Sequence, residues 1–305
     1  MLNSGVNRIF LLALPKFWYM RSYLLVASVM LFTFFVSCVK ENTPPDTTPP
    51  VDLNLPAETF MDVEYGYDAS QKMDIYLPAK RTTATTKVLF LMHEGAWFMG
   101  DKSEYQPIVD TLKQRLPDWA IVNINYRLAA MDGNWFPTQE LDINKAILTV
   151  LDNRNKFAIS DKWVYIGESA GGHLALLQGY KNNIKIKPKA IVNFYGPSDL
   201  NSMMTNPGPD SPPVNLLEML FNNTATVSSP ITYINAQSPP TITFQGTDDL
   251  LVPAYQATNL HQKLKAANVP EKLVMYQHEG HGFSDISIYT NAFDQAIAFL
   301  NIHVK

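Results

Sequence analysis

The segment Gly167-Glu168-Ser169-Ala170-Gly171-Gly172-His173 holds a serine with a glycine two positions away on either side. A serine hydroxyl is a weak nucleophile until a base takes its proton, and this spacing is the GxSxG pattern that presents one where a strand turns into a helix. Glycines at those positions let strand and helix approach without a side-chain clash. The free N–H groups at the helix start, together with its dipole, favour negative charge on a substrate carbonyl oxygen. Acyl transfer then needs an imidazole to take the proton and a carboxylate to orient the imidazole. Beyond Ser169 the chain supplies Asp248 and Asp249 within Gly246-Thr247-Asp248-Asp249-Leu250-Leu251-Val252-Pro253. It also supplies His278 and His281, the second within Gly280-His281-Gly282-Phe283. A Gly/Ser turn that merely caps a helix is the plainer reading, and the surrounding elements decide between the two.

Those elements have the required periods. Trp163-Val164-Tyr165-Ile166 before the turn is β-rich, and residues 170–180 after it carry apolar residues at helical spacing. Further strands are predicted over 73–78, 87–92, 120–125, 190–194, 241–245 and 272–276. The first alternates and ends at Pro78, as an edge strand does, whereas 87–92 is apolar nearly throughout, as a strand covered on both faces is. Helical spacing over 104–114, 139–153, 255–267 and 286–302 alternates with these strands. The result is an α/β fold with a parallel sheet between two helical layers. Asp248 and Asp249 then follow one strand and His281 the next, at the sheet edge where α/β sites assemble. Residues 198–234 break the rhythm: they are rich in Pro, Asn and Ser, with one apolar patch at 216–221. This insertion is expected to shape substrate access, the alternative being a solvated excursion with one small helix.

The 305 residues are 46% apolar and 17% charged, enough for a sizeable core in one large domain. Net charge is −4, and the chain before Cys38 holds Arg8, Lys16 and Arg21 but no acid, so its removal leaves the rest more acidic. Such a chain is a poor partner for nucleic acid. No Cys/His cluster has metal-site spacing. The lone Cys38 closes an uncharged, largely apolar run over 22–37 preceded by Arg21, short for a membrane span but suited to a signal-peptide core. Phe35-Val36-Ser37-Cys38 resembles the lipobox of bacterial lipoproteins, with Phe35 where leucine is usual. That resemblance implies export, cleavage before Cys38 and lipidation there, with attachment to a bacterial membrane, expected to be the outer one. An uncleaved anchor and a secretory signal cut elsewhere are the alternatives. Residues 1–37 are thus expected to be a signal peptide, with Met20 as a plausible true start. Residues 38–56, containing Pro44-Pro45 and Pro49-Pro50, form a stiff tether, and residues 57–305 the globular domain.

Gly167 to His173, His93-Glu94-Gly95-Ala96-Trp97, Asn125-Tyr126-Arg127-Leu128-Ala129, Gly246 to Pro253 and Gly280 to Phe283 occur in the order of the α/β-hydrolase esterases with HGGGW and GxSAGG motifs. The chain resembles that family, which includes bacterial carboxylesterases, acetyl- and feruloyl-esterases, from about Met73 onward. The resemblance implies an α/β-hydrolase fold, with a mostly parallel central sheet, helices on both faces and a small insertion. It implies Ser169 as nucleophile, His281 as base and Asp249 as acid, since the family's GTxDxxVP puts the carboxylate third after glycine and its GHGF surrounds the histidine. It implies an oxyanion hole from the N–H groups of Gly95, Ala96 and Ala170, no cofactor, and an ester substrate that is a small molecule or borne on a polysaccharide. HGGGW has become HEGAW. With ordinary backbone angles at Ala96 the hole still forms and the methyl narrows the acyl pocket. Glu94 is a solvent-facing replacement, a supporting group, or a perturbing charge. Arg127 is expected to pair with a buried carboxylate such as Asp142, Asp199 to cap or brace the insertion, His173 to be structural, and His261 and His303 to face solvent. A peptidase of the prolyl oligopeptidase type and a non-catalytic carbohydrate-binding protein on the same fold are the competing readings.

Overall fold

The computed structural model describes residues 54–181, 184–221 and 223–305. The expected signal segment 1–37, Cys38 and the tether as far as residue 53 lie outside the described residues. Strands β1 (Glu58–Glu64), β2 (Lys72–Leu77), β3 (Val88–Met92) and β4 (Ala120–Ile124) form the first half of a sheet. β5 (Trp163–Glu168), β6 (Ala190–Phe194), β7 (Thr241–Gly246) and β8 (Glu271–Tyr276) form the second. Their order is β1-β2-β4-β3-β5-β6-β7-β8. All pairings from β4 to β8 are parallel, while β1 and β2 run antiparallel at one side.

The central strands read VLFLM, AIVNI and AIVNF, and every residue in them is buried. Successive side chains leave opposite faces, so Val88, Phe90 and Met92 enter one core while Leu89 and Leu91 enter the other. The first core is covered by α2 (Thr138–Asp152), α3 (Ala170–Lys181) and α7 (Tyr255–Ala266). The second is covered by α1 (Gln106–Arg115) and α8 (Ile286–His303).

One expectation about the sheet is corrected, and the alternative reading of the insertion is set aside. The strand over 73–78 is not an edge: β1 pairs outside it, and ETFMDVE shows no buried residue to announce a strand. Its charges suit the exposed rim of a sheet. The insertion is no solvated excursion with one helix. It contains α4 (Leu200–Thr205), α5 (Val214–Phe221), α6 (Ala225–Ser228) and a 3₁₀ turn at Pro230–Tyr233, and it buries Leu200, Met203, Leu217, Leu220 and Phe221. Asp199 caps α4, accepting the Ser202 N–H at 3.1 Å.

The loop after β4 is tied to α2 by one carboxylate. Asp142 accepts the Arg127 main-chain N–H at 3.0 Å, its Nε and Nη2 at 2.9 and 2.7 Å, and Gln71 Nε2 at 2.7 Å. The same loop donates the Ala129 N–H to the Trp97 carbonyl at 2.8 Å, so it braces the HEGAW segment. Removing a buried acceptor with four donors strands those donors. Asp142→Ala is therefore expected to lower the unfolding free energy by about 2–4 kcal/mol in urea denaturation, and a loss below about 0.5 kcal/mol would contradict this bracing role.

Candidate active site

Ser169 sits between β5 and α3 with φ of 50°, a left-handed conformation that side chains other than glycine rarely adopt. Its own N–H is held by the Phe194 carbonyl at the end of β6, at 2.9 Å. The two glycines flanking it have a steric reason. A Cβ on Gly171 would overlap the carbonyls of Met92 and His93, and one on Gly167 would overlap the Gly171 backbone. Only glycine lets α3 lie this close to β3 and fold back on β5.

His281 and Asp249 arrive from the loops after β8 and β7. Asp249 is buried and only accepts, so the ring proton between them belongs to His281 Nδ1, which donates to Asp249 Oδ2 at 2.8 Å. That leaves Nε2 to accept the Ser169 Oγ–H at 2.9 Å. Asp249 is itself fixed: Oδ1 accepts the N–H groups of Leu251 and Val252 at 3.0 and 2.8 Å, and Oδ2 accepts Gln245 Nε2 at 2.8 Å. The competing pair stands apart. His278 Nδ1 lies 3.4 Å from Asp248 Oδ2, both exposed, in a surface contact that is worth little.

The loop after β3 faces this chain of hydrogen bonds. Gly95, Ala96 and Trp97 have φ of 114°, 49° and 66°. The condition of ordinary backbone angles at Ala96 is thus not met; it holds a left-handed conformation where the family has glycine. Among the described residues the N–H groups of Gly95 and Ala96 meet no acceptor, and Ala170, first in α3, has no intrahelical one. The loop is fastened on three sides. His93 Nδ1–H donates to the Glu94 carbonyl at 2.7 Å, and its ring stacks on Tyr126 at 4.2 Å. Trp97 Nε1–H donates to His173 Nδ1 at 3.3 Å, whose Nε2–H donates to the Ser228 carbonyl of the insertion at 2.7 Å. The Trp97 ring also meets Phe221 edge-on at 5.1 Å. Burial depresses both His93 and His173 to about 4, so each is neutral and structural.

Glu94 is half-buried rather than solvent-facing. Burial is the main cause that raises its carboxyl above the ordinary range. Glu168, the residue before the serine, is buried with its carboxyl bonded to Tyr105 and Tyr195 at 3.0 and 3.2 Å. The motif spacing places Glu168, but nothing in the sequence announces those tyrosines. His261 is a further correction: it does not face solvent but is buried against Glu271, Nδ1 to Oε2 at 2.7 Å.

A serine on a strained strand-to-helix turn, with carboxylate and imidazole after the last two strands of a sheet in this order, defines an α/β-hydrolase. The chain belongs to the BD-FAE family, whose model matches residues 73–264. It is 30% identical over 236 residues to the "Probable carboxylic ester hydrolase LipM" of Mycobacterium tuberculosis, covering 70% of this chain and 53% of that protein. The chain thus spans about half the length of that curated relative. Among solved structures it is similar to a "Truncated form of carbohydrate esterase from gut microbiota", with TM-score 0.67, 22% identity, and coverage of 81% of this chain and 98% of that one. It is similar also to a "Bifunctional GH43-CE" chain of Bacteroides eggerthii, with TM-score 0.65, 27% identity, and coverage of 78% and 38% respectively.

Burial pushes Glu168 up to about 7 from its ordinary 4.5, aided by the charge of Glu94 and opposed by its two tyrosine bonds. A raised value means that the folded state holds the proton more tightly than the unfolded chain. The associated stability is present below about pH 4.5 and is lost as pH rises through about 7. Native protein is expected to lose up to about 3 kcal/mol relative to Glu168→Gln over that interval, read as urea denaturation of both at pH 5 and pH 8. A gap that stays constant with pH would contradict the assignment.

Proposed function

We propose that this protein is a serine esterase that cleaves carboxylic esters through an acyl-enzyme. The observation that carries this reading is the unbroken hydrogen-bonded chain from Ser169 Oγ through His281 to Asp249, with bonds of 2.9 and 2.8 Å. His281 Nε2 takes the hydroxyl proton as Oγ attacks the ester carbonyl. Asp249, pinned by Leu251, Val252 and Gln245, keeps the ring in the tautomer that can do so and stabilises the imidazolium that forms. The carbonyl oxygen, now negative, is met by the free N–H groups of Gly95, Ala96 and Ala170, each such donor contributing about 3 kcal/mol in related sites. The intermediate collapses, the imidazolium protonates the departing alcohol, and water repeats the sequence on the acyl-serine.

The substrate is read as an acetyl, feruloyl or other small acyl ester carried on a sugar. Family membership and the similarity to carbohydrate-esterase chains support this class. Location is read from the sequence: the apolar run ending at Cys38 supports an exported protein anchored through a lipid on that cysteine.

Initial hydrolysis of p-nitrophenyl acetate by native protein and Ser169→Ala tests the chemistry. The variant is expected to lose about 10⁴-fold or more in kcat, and equal rates would favour a binding protein on the same fold. Acetylated and feruloylated oligosaccharides are expected to exceed p-nitrophenyl acetate in kcat/KM. Cys38→Ser is expected to move the protein from the membrane fraction to the soluble one, and unchanged fractionation would remove the lipid anchor from the proposal.

A further inference from the structure

Three tyrosines from separate elements converge on one buried carboxyl beside the serine, and the chemistry above uses none of them. Tyr105, just before α1, donates its hydroxyl to Glu168 Oε2 at 3.0 Å and accepts the Glu94 N–H at 3.0 Å. Tyr195, just after β6, donates to the same Oε2 at 3.2 Å. Its single proton is thereby spent, so Tyr289 of α8 donates to the Tyr195 oxygen at 3.1 Å. The Tyr195 ring packs on the His281 imidazole with centroids 4.7 Å apart. The loop carrying Gly95 and Ala96 and the ring of His281 are thus both hung from one carboxylate oxygen, on the residue adjacent to Ser169.

We propose that Glu168 is a positioning residue for the reaction at Ser169, holding the oxyanion loop through Tyr105 and the His281 ring through Tyr195. The proposal rests on the esterase reading above. Every donor in the network points toward Glu168, as an acceptor-only carboxylate requires, and hydrogen bonds to a charged acceptor are roughly twice as strong as neutral ones. Protonating Glu168 weakens both arms at once, so the site tightens as pH rises through its titration near 7. The titratable groups facing it are Glu94 of the oxyanion loop, Tyr105, Tyr195 and Tyr289. Glu168 lines a cleft of about 240 Å³ together with Pro107, Ile108 and Thr111 of α1 and Ile286, Tyr289 and Phe293 of α8.

The test compares native protein, Glu168→Ala and Glu168→Gln in p-nitrophenyl acetate hydrolysis from pH 5 to 9. Glutamine keeps an acceptor oxygen for both tyrosines and does not titrate. Glu168→Ala is expected to lower kcat roughly tenfold to a hundredfold with KM within about twofold, and Glu168→Gln to recover most of that loss. The native acid limb is expected to rise more steeply near pH 7 than one ionisation allows, and the Glu168→Gln limb to follow a single ionisation. A Glu168→Gln profile that superimposes on the native one, or a Glu168→Ala loss confined to KM, overturns the proposal. If Ser169→Ala hydrolyses the ester as fast as native protein, the esterase reading fails instead. The network is then read without turnover, from the His281 ring-proton signal in an NMR titration. An additional step near pH 7 that disappears in Glu168→Gln supports the coupling, and identical titrations overturn it.

Discussion

The left-handed backbone at Ser169 is the constraint on which the other features depend. A residue at φ of 50° is costly, by about 1–3 kcal/mol, and persists only where neighbours over-determine it. Here the neighbours are the Phe194 carbonyl, which takes the serine N–H, and the approach of α3 to β3, which Gly171 permits. The strain aims the hydroxyl at His281 and leaves the Ala170 N–H free at the start of α3. A straighter connection from β5 to α3 would turn the hydroxyl away and bury the donor.

Around that turn, charge is managed by burial and by pinning. Asp249 has no exposed side chain and, besides His281, three protein donors, so it stays oriented without help from solvent. The neutral histidines His93 and His173 serve as hydrogen-bonded struts, one closing the oxyanion loop on itself and the other linking Trp97 to the insertion. The insertion is therefore part of the site's foundation: Phe221 packs on Trp97, and the Phe136 N–H reaches the Leu220 carbonyl at 2.9 Å. Left-handed angles at Ala96 and Trp97 are a further cost that this surrounding packing sustains.

Much of this was legible in the chain because it is local. Glycines at fixed offsets from Ser169 mark the turn, apolar runs mark the buried strands, and Asp249 and His281 each follow a strand at short range. Arg127, at the end of a strand, was legible as the partner of a buried carboxylate such as Asp142. What was not legible is tertiary. β1 carries no periodic burial, because it is a solvated rim whose register also breaks between Phe60 and Val63. The helices of the insertion are four to eight residues long, too short to stand on propensity, and they exist because Leu217, Leu220 and Phe221 find the core. Tyr105, Tyr195 and Tyr289 come from three elements far apart in the chain, and no spacing rule joins them to Glu168. The HEGAW departure was visible, but the left-handed angles of its alanine were set by the loop's fastenings rather than by the residue itself.

The central claim is that Ser169 is a nucleophile made reactive by His281, and covalent labelling reads this directly. Native protein is treated with a fluorophosphonate and the adduct mapped by peptide mass spectrometry, alongside His281→Ala. A single phosphonyl adduct on Ser169, formed far more slowly in His281→Ala, is the expected result. No adduct on Ser169, or an adduct that forms equally fast without the imidazole, contradicts the assignment of nucleophile and base.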